Sequence, residues 1–248
     1  LPFEREPVLP ASFRVDGAPQ LKRLAPEAEN WYYHQDTASQ WCCYALGARP
    51  GERIADVCAA PGGKSFTLAQ YMDNQGEILA CDLYPAKCDT MEKRAAALGI
   101  TCLRTAARDA SKPCPAPLRG QFDRVVCDVP CSGLGAIRRK PEIRYKDLSA
   151  FEALPELQYR ILVEAAALTR PGGVLQYSTC TLNPAENEQV AERFLRENPA
   201  FSPRTLPLAD CFAAVDKPMG HTLTLFPHMH HTDGFFLAAF VRSEDPSL

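Results

Sequence analysis

Arg53-Ile54-Ala55-Asp56-Val57-Cys58-Ala59-Ala60-Pro61-Gly62-Gly63-Lys64 is the stretch whose reading decides the fold class. Ile54 to Val57 reads as a short buried strand, the glycines as a turn, and Lys64 to Tyr71 as the helix that follows. The same alternation continues outward. Gly76 to Asp82 is a second strand and Pro85 to Leu98 a second helix; Thr101 to Leu103 is a short third strand. Phe122 to Asp128 is the fourth strand, and Phe151 to Thr169 a long helix ahead of a fifth at Gly173 to Tyr177. Pro184 to Glu197 reads as a helix capped by Asn183, with Pro184 at its first position and Glu186 three residues after the cap. Phe235 to Val241 is a strongly apolar last strand, and Gln35 to Leu46 carries apolar residues at helical spacing before the first. Successive strand–helix units predict an α/β protein with a mostly parallel sheet and helices on both faces.

The chain has 248 residues, of which 46% are hydrophobic, enough for one large α/β domain. No run approaches the roughly 18 apolar residues of a membrane span, and no signal peptide opens the chain. The first 30 residues, rich in proline and charge, read as an extension or linker, and residues 31–248 as the domain. The opening Leu1-Pro2-Phe3-Glu4 lacks Met, so the expectation is a cut inside a longer protein with a domain upstream. Eleven cysteines occur without a C-x-x-C pair, which disfavours a zinc ribbon or thioredoxin motif and points to reduced thiols in cytoplasm. Cys81, Cys102 and Cys127 sit in apolar runs and read as core residues. A net charge of −3 argues against wholesale electrostatic capture of nucleic acid. A local basic strip remains, with Arg138, Arg139, Lys140, Arg144 and Lys146 together.

Two further cysteines stand where chemistry is expected. Cys131, in Asp128-Val129-Pro130-Cys131-Ser132-Gly133, follows the fourth strand, and Cys180, in Ser178-Thr179-Cys180-Thr181, follows the fifth. Ligands bind at the carboxyl ends of strands in open α/β sheets, so two thiols there suggest covalent catalysis on an electrophilic ring or carbonyl. The glycine loop is neither a Walker loop nor the G-x-G-x-x-G fingerprint. Its small residues admit a ligand, and the helix N-terminus behind it suits an anionic group. Asp82 ends the second strand, where an acid accepts from ribose hydroxyls, and Asp109 follows the third, where it would face an adenine amine. Together they outline a nucleoside pocket.

The strings at 56–64, 128–133 and 178–181 resemble those of the Sun-type RNA cytosine-C5 methyltransferases. Gln35 to Ser39, Asn183 to Glu188 and Thr232 to Phe236 fit that family too, and Gly133 to Pro141 resembles its bacterial branch acting on small-subunit ribosomal RNA. In that branch a helical RNA-binding domain precedes the catalytic one. The resemblance covers about residues 31–242. It implies a Rossmann-like class I methyltransferase fold with a seven-stranded sheet, antiparallel at its last strand, and S-adenosylmethionine as methyl donor. By the same resemblance Cys58, Ala59, Ala60, Pro61, Gly62, Gly63 and Lys64 wrap the cofactor, Asp82 takes its ribose, Asp109 lies at its adenine, and Asp128 lies between cofactor and base. Cys180 takes the nucleophile's place and Cys131 that of the cysteine assisting release.

The chemistry makes separate sense. Carbon 5 of cytosine is a poor nucleophile, so a thiolate adds first to carbon 6. Asp128 would accept from the exocyclic amine or, protonated, donate to the ring nitrogen; Lys64 would orient the base or lower a thiol pKa. In DNA cytosine-C5 methyltransferases the nucleophile follows a proline, as Cys131 does, which leaves the reversed assignment open. The target base must leave its stack, with Arg138, Arg139, Lys140 and Arg144 as candidate backbone contacts. Trp31, Tyr32, Tyr33 and His34 are read mainly as packing. His228-Met229-His230-His231 lacks a full ligand set, so no metal is expected. The expected partner is RNA, first of all 16S ribosomal RNA, and a monomer is favoured. The rival readings are a transfer-RNA enzyme, a non-catalytic assembly factor, and a thiol hydrolase, for which no cysteine–histidine arrangement is visible.

Overall fold

The computed structural model describes residues 3–6, 8–15, 30–208 and 220–245. Its main sheet runs through β3 (Arg53–Asp56), β4 (Glu77–Asp82), β5 (Leu103–Ala107), β6 (Phe122–Asp128) and β7 (Thr169–Thr179), and ends with β10 (Phe235–Arg242). The spatial order is β5-β4-β3-β6-β7-β10, the first five parallel and β10 antiparallel to β7. The order reverses at β3, and this is the crevice where an open parallel sheet takes its ligand.

Beyond β10 the seventh lane is shared. β8 (Phe201–Pro203) pairs with residues 240–242 and β9 (Thr222–Leu225) with residues 235–238, so eight strands fill seven lanes. These two short strands carry too little alternation to be legible in the sequence. A hairpin of β1 (Phe3–Arg5) and β2 (Phe13–Val15) lies inside the stretch read as irregular, and its turn buries Leu9 against the core.

The apolar runs sort by parity because successive side chains of a strand face opposite ways. Ala55, Val125, Cys127, Leu175, Tyr177, Phe236 and Phe240 form one core layer. Ile54, Val126, Val174, Phe235, Leu237 and Ala239 form the other. The first layer is covered by α4 (Leu154–Ala166) and α5 (Glu188–Glu197), the second by α1 (Thr37–Leu46) and α2 (Gly63–Tyr71). α3 (Pro85–Ala97) packs along β4 and β5, and α6 (Pro227–His230) is a single turn before β10. Cys81 and Cys127 lie in the core, and Cys102 is partly buried against it.

α1 is held at both ends. Asp36 caps its start by accepting from Ala38 N at 2.9 Å. Buried Arg124 closes its end, donating to the Leu46 carbonyl at 2.6 Å while pairing with both Glu52 oxygens at 2.6 and 2.8 Å. The helix expected from Pro184 begins only at Glu188, after a turn through 184–187. Among the described residues no helix is long and apolar enough to cross a membrane, and no group of three potential metal ligands occurs.

Candidate active site

β6 and β7 are neighbours in register, Asp128 opposite Ser178, so the loops that leave them emerge side by side. Each loop delivers its cysteine to the same point, with Cys131 Sγ and Cys180 Sγ 3.2 Å apart. Neutral hydrogen bonds join the loops as well, with Val129 N donating to Ser178 O at 3.1 Å and the hydroxyls of Ser132 and Thr181 2.7 Å apart.

The two thiols titrate unequally. The Cys180 pKa is lowered, chiefly by the hydrogen bond from Cys131, with further help from the nearby Lys64 ammonium against the cost of burial. That same hydrogen bond, together with burial, pushes Cys131 well above its ordinary value. The contact therefore favours proton loss from Cys180 over proton loss from Cys131.

Lys64 lies behind them, 5.2 Å over the Phe235 ring. Its ammonium donates to Asp128 Oδ2 at 2.6 Å and to Ser39 Oγ at 2.8 Å. Burial works against that charge, but Asp128 outweighs it and the lysine pKa is raised. Asp128 Oδ1 accepts from Ser178 Oγ at 2.8 Å, and Cys42 Sγ backs Ser178 at 3.5 Å. Both oxygens of Asp128 thus accept, one from a cation, which is the pattern of a carboxylate rather than a protonated donor. Its side chain stays 28% exposed, leaving acceptor capacity toward the cleft.

The glycine loop bends as its composition demands. Gly62 has φ +107°, and a Cβ there would stand 2.4 Å from the Phe66 ring. α2 starts there with no side-chain cap, so its first amides remain available. Ala59 N donates to Cys81 O at 2.7 Å, fixing the loop to β4. Burial lifts the Cys58 thiol well above its ordinary value. Burial also raises Asp56, beneath the loop, to about 7, although Ser65 Oγ donates to it at 2.7 Å. Asp82, at the end of β4, accepts from Tyr84 N at 3.1 Å. Asp109 accepts from Ser111 N and Oγ at 2.9 and 2.6 Å, so one of its oxygens closes a local turn.

The basic strip divides. Arg139 pairs with buried Asp233, and Arg138 bridges Asp233 at 3.4 Å and Asp36 at 3.5 Å. These two arginines tie their loop to the start of α1 and the turn before β10, while Lys140 and Arg144 project into solvent. Trp31 is exposed, whereas Tyr33 packs on Phe66 and hydrogen-bonds Thr67 at 2.9 Å. His230 turns its ring back, its Nδ1 accepting from Phe226 N at 2.9 Å.

Several residues of the site escaped sequence reasoning as functional groups. Ser39 and Ser178 lay inside quoted strings, but nothing local announced that they hold Lys64 and Asp128. Asn183 accepts from Ala185 N at 3.2 Å, as a capping residue does, but its backbone N–H donates to Thr181 Oγ1 at 3.3 Å and not to Glu186. Its carboxylate turns inward and accepts from Ser132 N at 2.9 Å, correcting the capping-box reading.

Gly135 threads between the two halves of the site. Its amide donates to Cys180 O at 3.0 Å and its carbonyl accepts from Gly234 N at 2.9 Å. A Cβ on Gly135 would lie 1.9 Å from Gly234 O and 2.8 Å from Cys180 O. Gly135→Ala is expected to displace Cys180 and lower kcat about 10²-fold, the scale of a 1 Å misplacement. Calorimetry should find cofactor affinity unchanged; an equal loss in both would show a general collapse instead.

The family model for 16S rRNA methyltransferase RsmB/F matches residues 43–241. A probable ribosomal RNA small subunit methyltransferase B of Synechocystis is 38% identical over 232 residues, 93% of this chain and 52% of the relative. The mouse tRNA (cytosine(72)-C(5))-methyltransferase NSUN6 is 34% identical over 197 residues, 72% of this chain and 40% of that protein. The crystal structure of NSun6 from Pyrococcus horikoshii with SFG superposes with a TM-score of 0.79 at 29% identity, covering 94% of this chain and 58% of that one. The chain thus spans about half the length, or less, of the curated relatives it matches.

Proposed function

Since the chain belongs to the RsmB/F family of 16S rRNA methyltransferases, we propose that it carries the catalytic machinery for methylating carbon 5 of a cytosine in RNA, with 16S ribosomal RNA as substrate. The observation that carries this reading is the Cys131–Cys180 pair at 3.2 Å with the Lys64–Asp128 pair behind it. An unpaired hydrolytic thiol would need a histidine beside it, and no hydrogen bond from a histidine to either sulfur occurs among the described residues.

The cradle suits S-adenosylmethionine: a glycine turn with no Cβ in the way, free amides at the start of α2 for its carboxylate, and Asp82 at the end of β4 for its ribose. Asp109 and Asp128 complete the residues that would hold it. Bound there, it supplies an electrophilic methyl group to carbon 5. The Cys180 thiolate adds to carbon 6 and pushes electron density onto carbon 5. Asp128 accepts from the exocyclic amine, held for that task by Lys64 and Ser178. The carbon 5 proton then departs to a water beside Cys131, and the bond from carbon 6 to Cys180 breaks. Hydrogen bonding from Cys131 stabilises the departing thiolate as it does in the free site.

Exposed Lys140 and Arg144 are placed to meet the RNA backbone, with Arg138 and Arg139 presenting half-exposed guanidiniums from their ion pairs. All ten described cysteines are free thiols, which supports a reducing cytoplasm. The family contains transfer-RNA relatives, so the substrate is tested directly. Labelled S-adenosylmethionine is offered with unmodified 16S ribosomal RNA and with transfer-RNA transcripts, and the product is mapped. 5-Methylcytosine in the ribosomal transcript supports the proposal; label confined to transfer RNA moves the target, and no label in either rejects the reaction.

A further inference from the structure

Glu186 and Asn187 are adjacent, fully buried, and reach different loops. Glu186 Oε2 accepts from Ser132 N and from Gln158 Nε2, each at 2.9 Å, and the same Gln158 nitrogen donates to Pro130 O at 2.9 Å. The residues on either side of Cys131 are therefore both gripped by the Gln158–Glu186 pair. Asn187 does the same for the other cysteine. Its Oδ1 accepts from Thr179 Oγ1 at 2.6 Å and its Nδ2 donates to Thr181 O at 3.0 Å, so the residues on either side of Cys180 are held too.

Packing alone does not call for this arrangement. The hydrogen bonds to the Glu186 carboxylate come from neutral donors, Asn183 Nδ2 at 3.0 Å being the third, and burying a carboxylate without a cation is costly. The Tyr177 hydroxyl also donates to the Glu186 carbonyl at 2.5 Å, fixing this turn to β7. The turn is thus a rigid block with two arms, one for each cysteine loop.

We propose that these neighbours are separate positioning residues: Glu186, with Gln158, sets Cys131 for release, and Asn187 sets Cys180 for attack. This rests on the covalent reaction proposed above. If it holds, breaking one arm should reproduce the phenotype of its own cysteine, which a merely structural role would not do.

The test uses the whole chain, unmodified 16S ribosomal RNA and S-adenosylmethionine, reading covalent protein–RNA adduct on denaturing gels, 5-methylcytosine, and cofactor affinity. Glu186→Ala is expected to accumulate adduct about tenfold over wild type, as Cys131→Ala does. Asn187→Ala is expected to lower adduct and product together, by about 10–10²-fold. Glu186→Gln keeps an oxygen for the Ser132 amide and should restore release. Cofactor affinity should stay within about twofold throughout. Loss of adduct and product alike in both variants overturns the proposal. Should Glu186→Ala fail to fold, Gln158→Met, which frees Pro130 O, is read in its place by the same criterion. If wild type and Cys131→Ala yield neither adduct nor product, the reaction itself is wrong; if they behave as expected and Glu186→Ala does not, only the positioning role falls.

Discussion

Cys180→Ala is expected to abolish 5-methylcytosine formation, by roughly 10⁴-fold or more, the scale seen when a covalent nucleophile is removed. RNA binding and cofactor binding should survive, because Cys180 contributes to neither the glycine cradle nor the basic strip. Cys131→Ala should fail differently. It leaves the nucleophile and removes the hydrogen bond that stabilises it as a leaving group, so protein–RNA adduct should build up on denaturing gels. The pH dependence separates the roles further. Only the thiolate adds to carbon 6, so activity should fall on the acid side as Cys180 takes up its proton. Because Cys131 is the largest cause of the lowered Cys180 pKa, its removal should move that acid limb toward higher pH. An active Cys180→Ala beside a dead Cys131→Ala would reverse the assignment.

The Lys64–Asp128 pair should show the second largest effect, in stability as well as rate. Asp128→Asn keeps the shape but halves the acceptor capacity offered to the exocyclic amine, and a loss of about 10²–10³-fold in kcat is expected. Lys64→Met leaves Asp128 without its counter-charge. Breaking such a pair costs about 3 kcal/mol, the low end of the buried range because Asp128 keeps some contact with water. Urea unfolding of the cofactor-free chain measures this. The double variant Lys64→Met/Asp128→Leu should regain most of that stability while staying inactive, since two apolar side chains need no partner. If Lys64→Met proves as stable as wild type, the pair is solvated and its charges do not organise the site.

Much of this was legible in the chain itself. Strand and helix alternate because apolar residues recur with the matching period, and that pattern is local. The glycine loop was readable for the same reason: Gly62 must take a positive φ at a strand-to-helix turn. The placement of Cys131 and Cys180 just past two strands followed from the strands alone. Errors gathered where a local rule offered one partner and the fold supplied another. Glu186 has the spacing of a capping box, yet a buried backbone amide on the Cys131 loop, Ser132 N, needed an acceptor and took it. Arg138 and Arg139 keep half-exposed guanidiniums on the side proposed to meet RNA, yet they also supply the counter-charge of buried Asp233, a partner that no local rule pointed to.

By itself, then, the sequence determined the class of fold, the cradle, and which residue types the chemistry has available, because each of these depends on periodicity or on one residue's own conformational limits. Tertiary structure alone decided which thiol loses its proton more readily and which oxygen of Asp128 faces which donor. Those depend on distances between residues as far apart in the chain as Lys64, Asp128 and Cys180, and electrostatic and hydrogen-bond energies take their values only when the β6–β7 register sets those distances.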